Sequence, residues 1–273
     1  MYYCTFKTKN LFKIILMKIF KFLLFCFSLF FAGNISAQVI KKPVSKKVVT
    51  KKVITKKITS GKPVVKKLPK PAVIKALPDN SIKIKIVTDS GTMIVKLYDS
   101  TPLHRDNFVK LVKEGFYDSL MFHRIIQGFM IQGGDPNSKN AAAGVMLGNG
   151  GDNMPRIPAE FRKSLYHKKG VLAAARDGNP EKASSPCQFY IVQGKPLSDA
   201  ELDMVEGRIG SKYSLSQRNT YKKIGGTPFL DQNYTVFGEV ISGLDIIDRI
   251  ASAPKAPGDR PIGDIRMKME IVK

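Results

Sequence analysis

From residue 82 onward the chain is a succession of short apolar runs separated by glycine-bearing turns, with too few helices between them to build a parallel sheet. Residues 82–88 read IKIKIVT and residues 92–98 read TMIVKLY, both alternating, with Asp89, Ser90 and Gly91 between them. That pattern predicts a β-hairpin. Thr101 is placed to cap a helix with Pro102 at its first position, and Phe108, Leu111 and Val112 supply its apolar face as far as Gly115. Further strands are expected over 121–132, 170–175, 188–193, 235–240 and 266–272. Ser198 to Glu201 has capping-box form ahead of Leu202, Val205 and Ile209, and 244–250 reads as another helix. The expected class is mainly β, a closed antiparallel β-barrel covered by helices.

The first 78 residues are of a different kind. They hold eighteen Lys and no Arg, Asp or Glu, so they carry +18 of the net +23, and the rest of the chain has 27 basic against 22 acidic residues. The basicity therefore says little about what the folded part binds. Lys18 and Lys21, an apolar run over 22–32 and the small residues Ser36 and Ala37 follow the order of a secretory signal cleaved after Ala37, with Met17 an alternative start. Lys13, Lys18, Lys21 and Asn34 interrupt any count of the about 20 apolar residues a membrane span needs, so no transmembrane segment is expected in the mature chain.

Lysine doublets then recur every five residues, at 41–42, 46–47, 51–52 and 56–57. This period matches neither helix nor strand, and five prolines from Pro43 to Pro78 oppose both. The reading is a disordered basic tether over 38–78, spanning roughly 35 Å as a flexible coil. It is a candidate for adhesion to an anionic surface, at about 1 kcal/mol per Lys, or a spacer kept soluble by charge. No aromatic residue lies within it to stack on bases, so no specific nucleic-acid partner is expected. The organisation is a signal at 1–37, a linker at 38–78 and a folded domain at 79–273, exported to the periplasm or cell envelope.

Several chemistries find no support. Cys4 and Cys26 fall in the leader, which leaves Cys187 alone and reads it as a small core residue. His104 and His167 fall in polar surroundings without metal-ligand spacing, so no metal site is expected. Gly148-Asn149-Gly150-Gly151 lacks the lysine and the helix of a phosphate loop and reads as a mobile turn. No paired carboxylates or Ser/His/Asp set point to hydrolysis.

Four blocks remain, in fixed order: FHRIIQGFMIQGGD over 122–135, IPAEF over 157–161, QFYI over 188–191, and FLD at 229–231 with YTVFG at 234–238. Together they resemble the cyclophilin family over about residues 82–273. The resemblance implies an eight-stranded antiparallel barrel with a helix at each end, acting on X-Pro bonds of proline-containing polypeptides without cofactor. It implies Arg124 as the catalytic residue. It further implies a substrate groove lined by Phe129, Met130, Gln132, Ala175, Gln188, Tyr190, Phe229, Leu230 and Tyr234, with His123 beside it. Alternation puts Phe189 in the core and Tyr190 toward the groove.

The residue types suit the reaction. A peptide bond resists rotation by about 18–20 kcal/mol because the nitrogen lone pair is shared with the carbonyl. Catalysis has only to favour the twisted amide, and a guanidinium can hold the carbonyl while donating to the prolyl nitrogen. Gln132 is suited to orient Arg124 or to bind substrate backbone. A ten-thousandfold acceleration requires roughly 5–6 kcal/mol, most of which two charge-assisted hydrogen bonds of about 1.5–3 kcal/mol supply if Arg124 is desolvated.

Three positions depart from the family. Tyr190 stands where Phe is common, adding a hydroxyl that needs a partner; Phe229 stands where drug-sensitive members have Trp, predicting weak cyclosporin binding; and Gln127 replaces a frequent Pro. The stretch 195–227 is a helical insertion, read as a cover over one barrel end or as a surface that holds a partner. The rival reading is a non-catalytic module that holds proline segments or unfolded chains.

Overall fold

The computed structural model describes residues 81–272, so the expected signal at 1–37 and the linker at 38–78 lie outside the described residues. Eight strands are present: β1 (Lys83–Thr88), β2 (Gly91–Leu97), β3 (Phe122–Ile126), β4 (Met130–Gly133), β5 (Val171–Ala174), β6 (Phe189–Val192), β7 (Val236–Ser242) and β8 (Met267–Val272). The helices are α1 (Pro102–Lys113), α2 (Asp199–Ile209), α3 (Leu215–Ile224) and α4 (Leu244–Ala251). All strand pairings are antiparallel, in the order β3-β4-β6-β5-β7-β2-β1-β8. The fold is thus a mainly-β, eight-stranded antiparallel curled sheet with β3 and β8 at its two edges. Beside those edges Phe122 N–H donates to Ile265 O at 2.9 Å and Met267 N–H donates to Leu120 O at 2.8 Å. Among the described residues no helix is long and apolar enough to cross a membrane.

The run 121–132 forms a hairpin and not the single strand that its alternation suggests. Gly128 takes a φ of 75°, open to glycine at little cost, and Phe129 N–H closes the turn on Ile126 O at 3.0 Å. Arg124 and Gln132 therefore face each other across two strands as register partners.

The period of two divides the sheet's apolar residues between its faces. Ile131, Leu172, Ala174, Phe189 and Ile191 join the main core, which α1 closes with Phe108, Leu111 and Val112, and α4 with Ile246, Ile247 and Ile250. Phe108 meets Phe189 and Phe237 edge-on at 5.6 and 5.4 Å between ring centres. Met130, Val171, Ala173, Tyr190 and Val192 form a second cluster on the other face, against Phe129, Leu230 and Tyr234. Each fully buried aliphatic or Phe side chain contributes about 1.5–3 kcal/mol.

The start of α1 corrects two expectations. Thr101 makes no side-chain cap; the Leu103 and His104 amides donate instead to the Glu160 carboxylate at 3.2 and 3.0 Å. A carboxylate there complements the helix dipole. His104 is buried, its polar partners internal rather than a solvated surface: Nδ1 is bonded to Glu160 at 2.7 Å and Nε2 to Ser184 Oγ at 2.9 Å. Burial lowers its pKa below the usual histidine value, against the opposing pull of Glu160.

The insertion holds α2 as expected, with the reciprocal Ser198–Glu201 capping box, and also α3, which opens on a second box of Ser214 and Gln217. Arg218 of α3 binds Asp199, Asp203 and Glu206 at 2.9–3.0 Å and so ties the two helices together. The two ends of the insertion meet just beyond β6: a Cβ on Gly194 would lie 2.4 Å from Gly226 Cα, a contact only glycine permits.

Candidate active site

Strands β3, β4 and β6 and the 3-10 turn Pro228–Leu230 bring the family-matched side chains to one cavity of about 280 Å³. Arg124, His123, Phe129, Met130, Gln132, Ala175, Tyr190, Leu230 and Tyr234 all line it. Gln188 lines the adjoining cavity of about 150 Å³, which shares Gln132, Ala175 and Gly148 with the first. Phe229 lies outside both linings, 51% exposed, with its ring 5.7 Å from that of Phe129.

Arg124 is half-buried, and its Nη1 donates to Gln132 Oε1 over a long 3.3 Å. The relay continues from Gln132 Nε2 to Gln188 Oε1 at 3.2 Å, and from Gln188 Nε2 to the carbonyls of Gly148 and Gly150, each at 2.9 Å. The guanidinium is thus aimed by a neutral amide, which leaves its charge uncompensated by that partner. Phe129, Met130 and Leu230 line the same cavity, and a substrate that filled it would displace water from the half-buried guanidinium and strengthen its hydrogen bonds.

The loop expected as a mobile turn belongs to this site. Besides its bonds to Gln188, Gly148 donates its amide to Asp135, whose other oxygen takes the Asn137 amide at 2.8 Å. Arg176 was also missed: its guanidinium lies 4.6 Å from the centre of the Tyr234 ring, and Nε donates to Asn233 O at 2.8 Å. Its only sequence signal was a cation directly after Ala175.

His123 is buried with neither ring nitrogen bonded. Burial is the main cause that brings its pKa down to about 4, with Asp135 opposing and Arg124 assisting. It stays neutral at ordinary pH. Cys187 is a core residue as read, its thiol pushed up to about 11 by burial and so inert. Among the described residues no group of three or more His, Cys, Asp and Glu is placed to hold a metal ion.

The extra hydroxyl of Tyr190 finds its partner in His167, which is buried among polar partners of the fold rather than set on a solvated surface. The Tyr190 hydroxyl lies 2.9 Å from His167 Nε2, and His167 Nδ1 lies 2.7 Å from Asp231 Oδ1. A carboxylate only accepts, so Nδ1 carries the proton and Nε2 accepts from Tyr190 in the neutral ring. The other Asp231 oxygen accepts from Tyr213 at 2.8 Å and Tyr221 at 2.6 Å, both from the insertion. Burial pushes the Tyr190 and Tyr221 phenols above their usual pKa, so both remain donors.

Residues 83–271 match the family model described as "Cyclophilin type peptidyl-prolyl cis-trans isomerase/CLD". The chain is 34% identical over 196 residues to a protein of Staphylococcus haemolyticus named "Putative peptidyl-prolyl cis-trans isomerase", covering 71% of this chain and 93% of that one. A protein of the same name from Staphylococcus saprophyticus is 35% identical over 198 residues, with the same coverage. Among solved structures, a cyclophilin type peptidyl-prolyl cis-trans isomerase of Cryptosporidium parvum superposes with a TM-score of 0.50 at 25% identity, covering 71% of this chain and 98% of that one. Motif order, sheet, groove and this match through the described residues agree, and the chain belongs to the cyclophilin-type peptidyl-prolyl cis-trans isomerase family.

Proposed function

We propose that this chain carries out its family's reaction, cis/trans isomerisation of X-Pro bonds in polypeptides, with Arg124 as the catalytic residue. The observation that carries the assignment is the relay in which Gln132 orients Arg124 in a cavity that Phe129, Met130 and Leu230 also line. Gln132 takes one guanidinium N–H, and the remaining N–H groups serve the substrate. As the amide twists, the lone pair localises on the prolyl nitrogen, and Arg124 donates to it while holding the preceding carbonyl.

The proline ring sits against Phe129, Met130, Tyr190 and Leu230, which exclude water from the less dipolar twisted state. Ala175 and Gln188 border the adjoining cavity, where substrate backbone lies against them, with the Gln188 amide hydrogens already held by Gly148 and Gly150. Phe229 and Tyr234 shape the outer rim. His123 walls the groove without proton transfer, because no proton moves in the reaction.

The hydrogen bonds linking 120–122 with 265–267 support a sheet that closes as a barrel, their seam lying between β3 and β8. The leader pattern at 17–37 supports export, with clients folding in the cell envelope. The Lys-rich composition of 38–78 supports a soluble spacer or contact with an anionic surface there.

A protease-coupled or exchange assay on a proline peptide tests the assignment. The native chain accelerates isomerisation, and Arg124→Ala lowers kcat/KM by about a hundredfold or more while peptide still binds. Equal rates for the two proteins overturn the role of Arg124, and binding without turnover by the native chain selects the non-catalytic module.

A further inference from the structure

Arg124 borders a second cavity, of about 190 Å³, in which Gln132 and the proline-side aromatics have no part. Its walls are His123, Arg124 and Leu147, shared with the groove, and two loops that contribute Val145, Met146, Pro257 and Ile262. Three of these side chains are bare: Met146 is 85% exposed, Ile262 68% and Val145 47%. Contiguous exposed apolar surface beside a functional groove marks a binding surface more often than accident.

The two loops are not slack. The guanidinium of Arg260, itself buried, donates to Ala142 O at 2.9 Å and Val145 O at 2.7 Å, and reaches Asp264 at 3.3 Å. Those bonds tie the 142–147 loop to the 256–262 loop, so the apolar rim is set before any ligand arrives. They also occupy the Arg260 guanidinium, leaving Arg124, at the border with the groove, as the second cation of the lining. The wall shared at His123 is uncharged at neutral pH.

From this we infer that the cavity is a further subsite of the groove, taking an aliphatic or methionine side chain of the substrate polypeptide that flanks the X-Pro pair. Continuity names the occupant: a chain with its X-Pro bond at Arg124 carries its neighbouring residues over Met146 and Ile262. Volume agrees, since a cavity of roughly 150 Å³ holds a benzene-sized group, and 190 Å³ accommodates one side chain and not a helix. The inference rests on the groove being the substrate site.

The test uses proline peptides in which one Leu is walked through the flanking positions on both sides of X-Pro, on a Ser background. For the full chain, Leu at one position raises kcat/KM by about tenfold over the all-Ser peptide. In Met146→Ser/Ile262→Ser that ratio falls toward one, and in Leu215→Ser, which removes an exposed apolar residue of α3, it stays. Taking the ratio within each protein cancels any general loss of folding or turnover. No gain at any position, or a gain that survives the double substitution, overturns the subsite. If the native chain turns over no peptide, the isomerase reading fails by itself. The same Leu/Ser ratio is then read from peptide affinities by fluorescence anisotropy, where its loss in the double variant supports the subsite and its persistence or absence overturns it.

Discussion

The Tyr190 hydroxyl meets His167 Nε2 at 2.9 Å, so a groove wall is hydrogen-bonded to a residue whose other nitrogen rests on Asp231. Asp231 directly follows the 3-10 turn that carries Phe229 and Leu230, and it also takes the hydroxyls of Tyr213 and Tyr221. One buried carboxylate thus joins the insertion, the turn and the floor of the groove. Networks of this kind stabilise when every member is satisfied and cost most when one is removed.

Tyr190→Phe deletes the donor and leaves a buried imidazole nitrogen without a partner. Stability falls by about 1–3 kcal/mol, read as a lower denaturant midpoint. Because the ring stays in place, kcat/KM on a proline peptide changes by less than about threefold. A large loss of turnover at unchanged stability contradicts this account.

Tyr221→Phe should cost a similar amount, about 1–3 kcal/mol, since it takes a donor from Asp231 with the ring retained. The expected signature is local: hydrogen exchange speeds up in the 228–231 turn as well as in α3. Acceleration confined to α3 would show that the insertion does not brace the groove.

Arg124→Lys keeps the charge but loses the planar fork that reaches Gln132 and, in the proposed role, the substrate as well. We expect it to recover less than about a tenth of native kcat/KM. Full activity in the lysine variant would reduce the arginine to a point charge.

Glu160→Gln removes the charge from the start of α1 and from His104. The expected loss is about 1–3 kcal/mol of stability, with the KM for proline peptide unchanged, because Glu160 lines no part of the groove. Unfolding curves and steady-state kinetics on the same sample separate the two.

Acid should destabilise the fold. His104 and His123 both have pKa values lowered by burial, His123 to about 4. The unfolded chain therefore binds more protons as pH drops below the free histidine value, and the stability present at pH 7 is lost between about 6.5 and 4. His123 accounts for roughly 3 kcal/mol of it. Denaturant midpoints at several pH values check the slope, and His123→Phe, with an apolar ring in the same space, should flatten it.

Legibility followed the range of the interactions. Cross-strand pairing of Arg124 with Gln132 needs only a short hairpin, so the motif exposed the centre of the site even though Gly128 breaks what reads as one strand. By contrast, Glu160 lies 56 residues from His104 and Asp231 lies 64 from His167, so both buried pairs were invisible to local pattern. Helix α3 was missed because LSQRNTYKKI buries little beyond Tyr221, and its start is marked by a polar box and not by an apolar stripe. The Gly148 loop lacks any period, and its place in the site comes from bonds to Gln188 and Asp135 made across the fold.

Because Gly194 and Gly226 touch, the strand ladder never registers how much chain is strung between them. That junction makes the excursion exchangeable in evolution, free to lengthen, shrink or be replaced without shifting a single strand partner. Its present occupant has nonetheless become entangled with the chemistry through two phenols on one carboxylate, so trimming it in an engineered variant calls for a substitute pair of donors at Asp231.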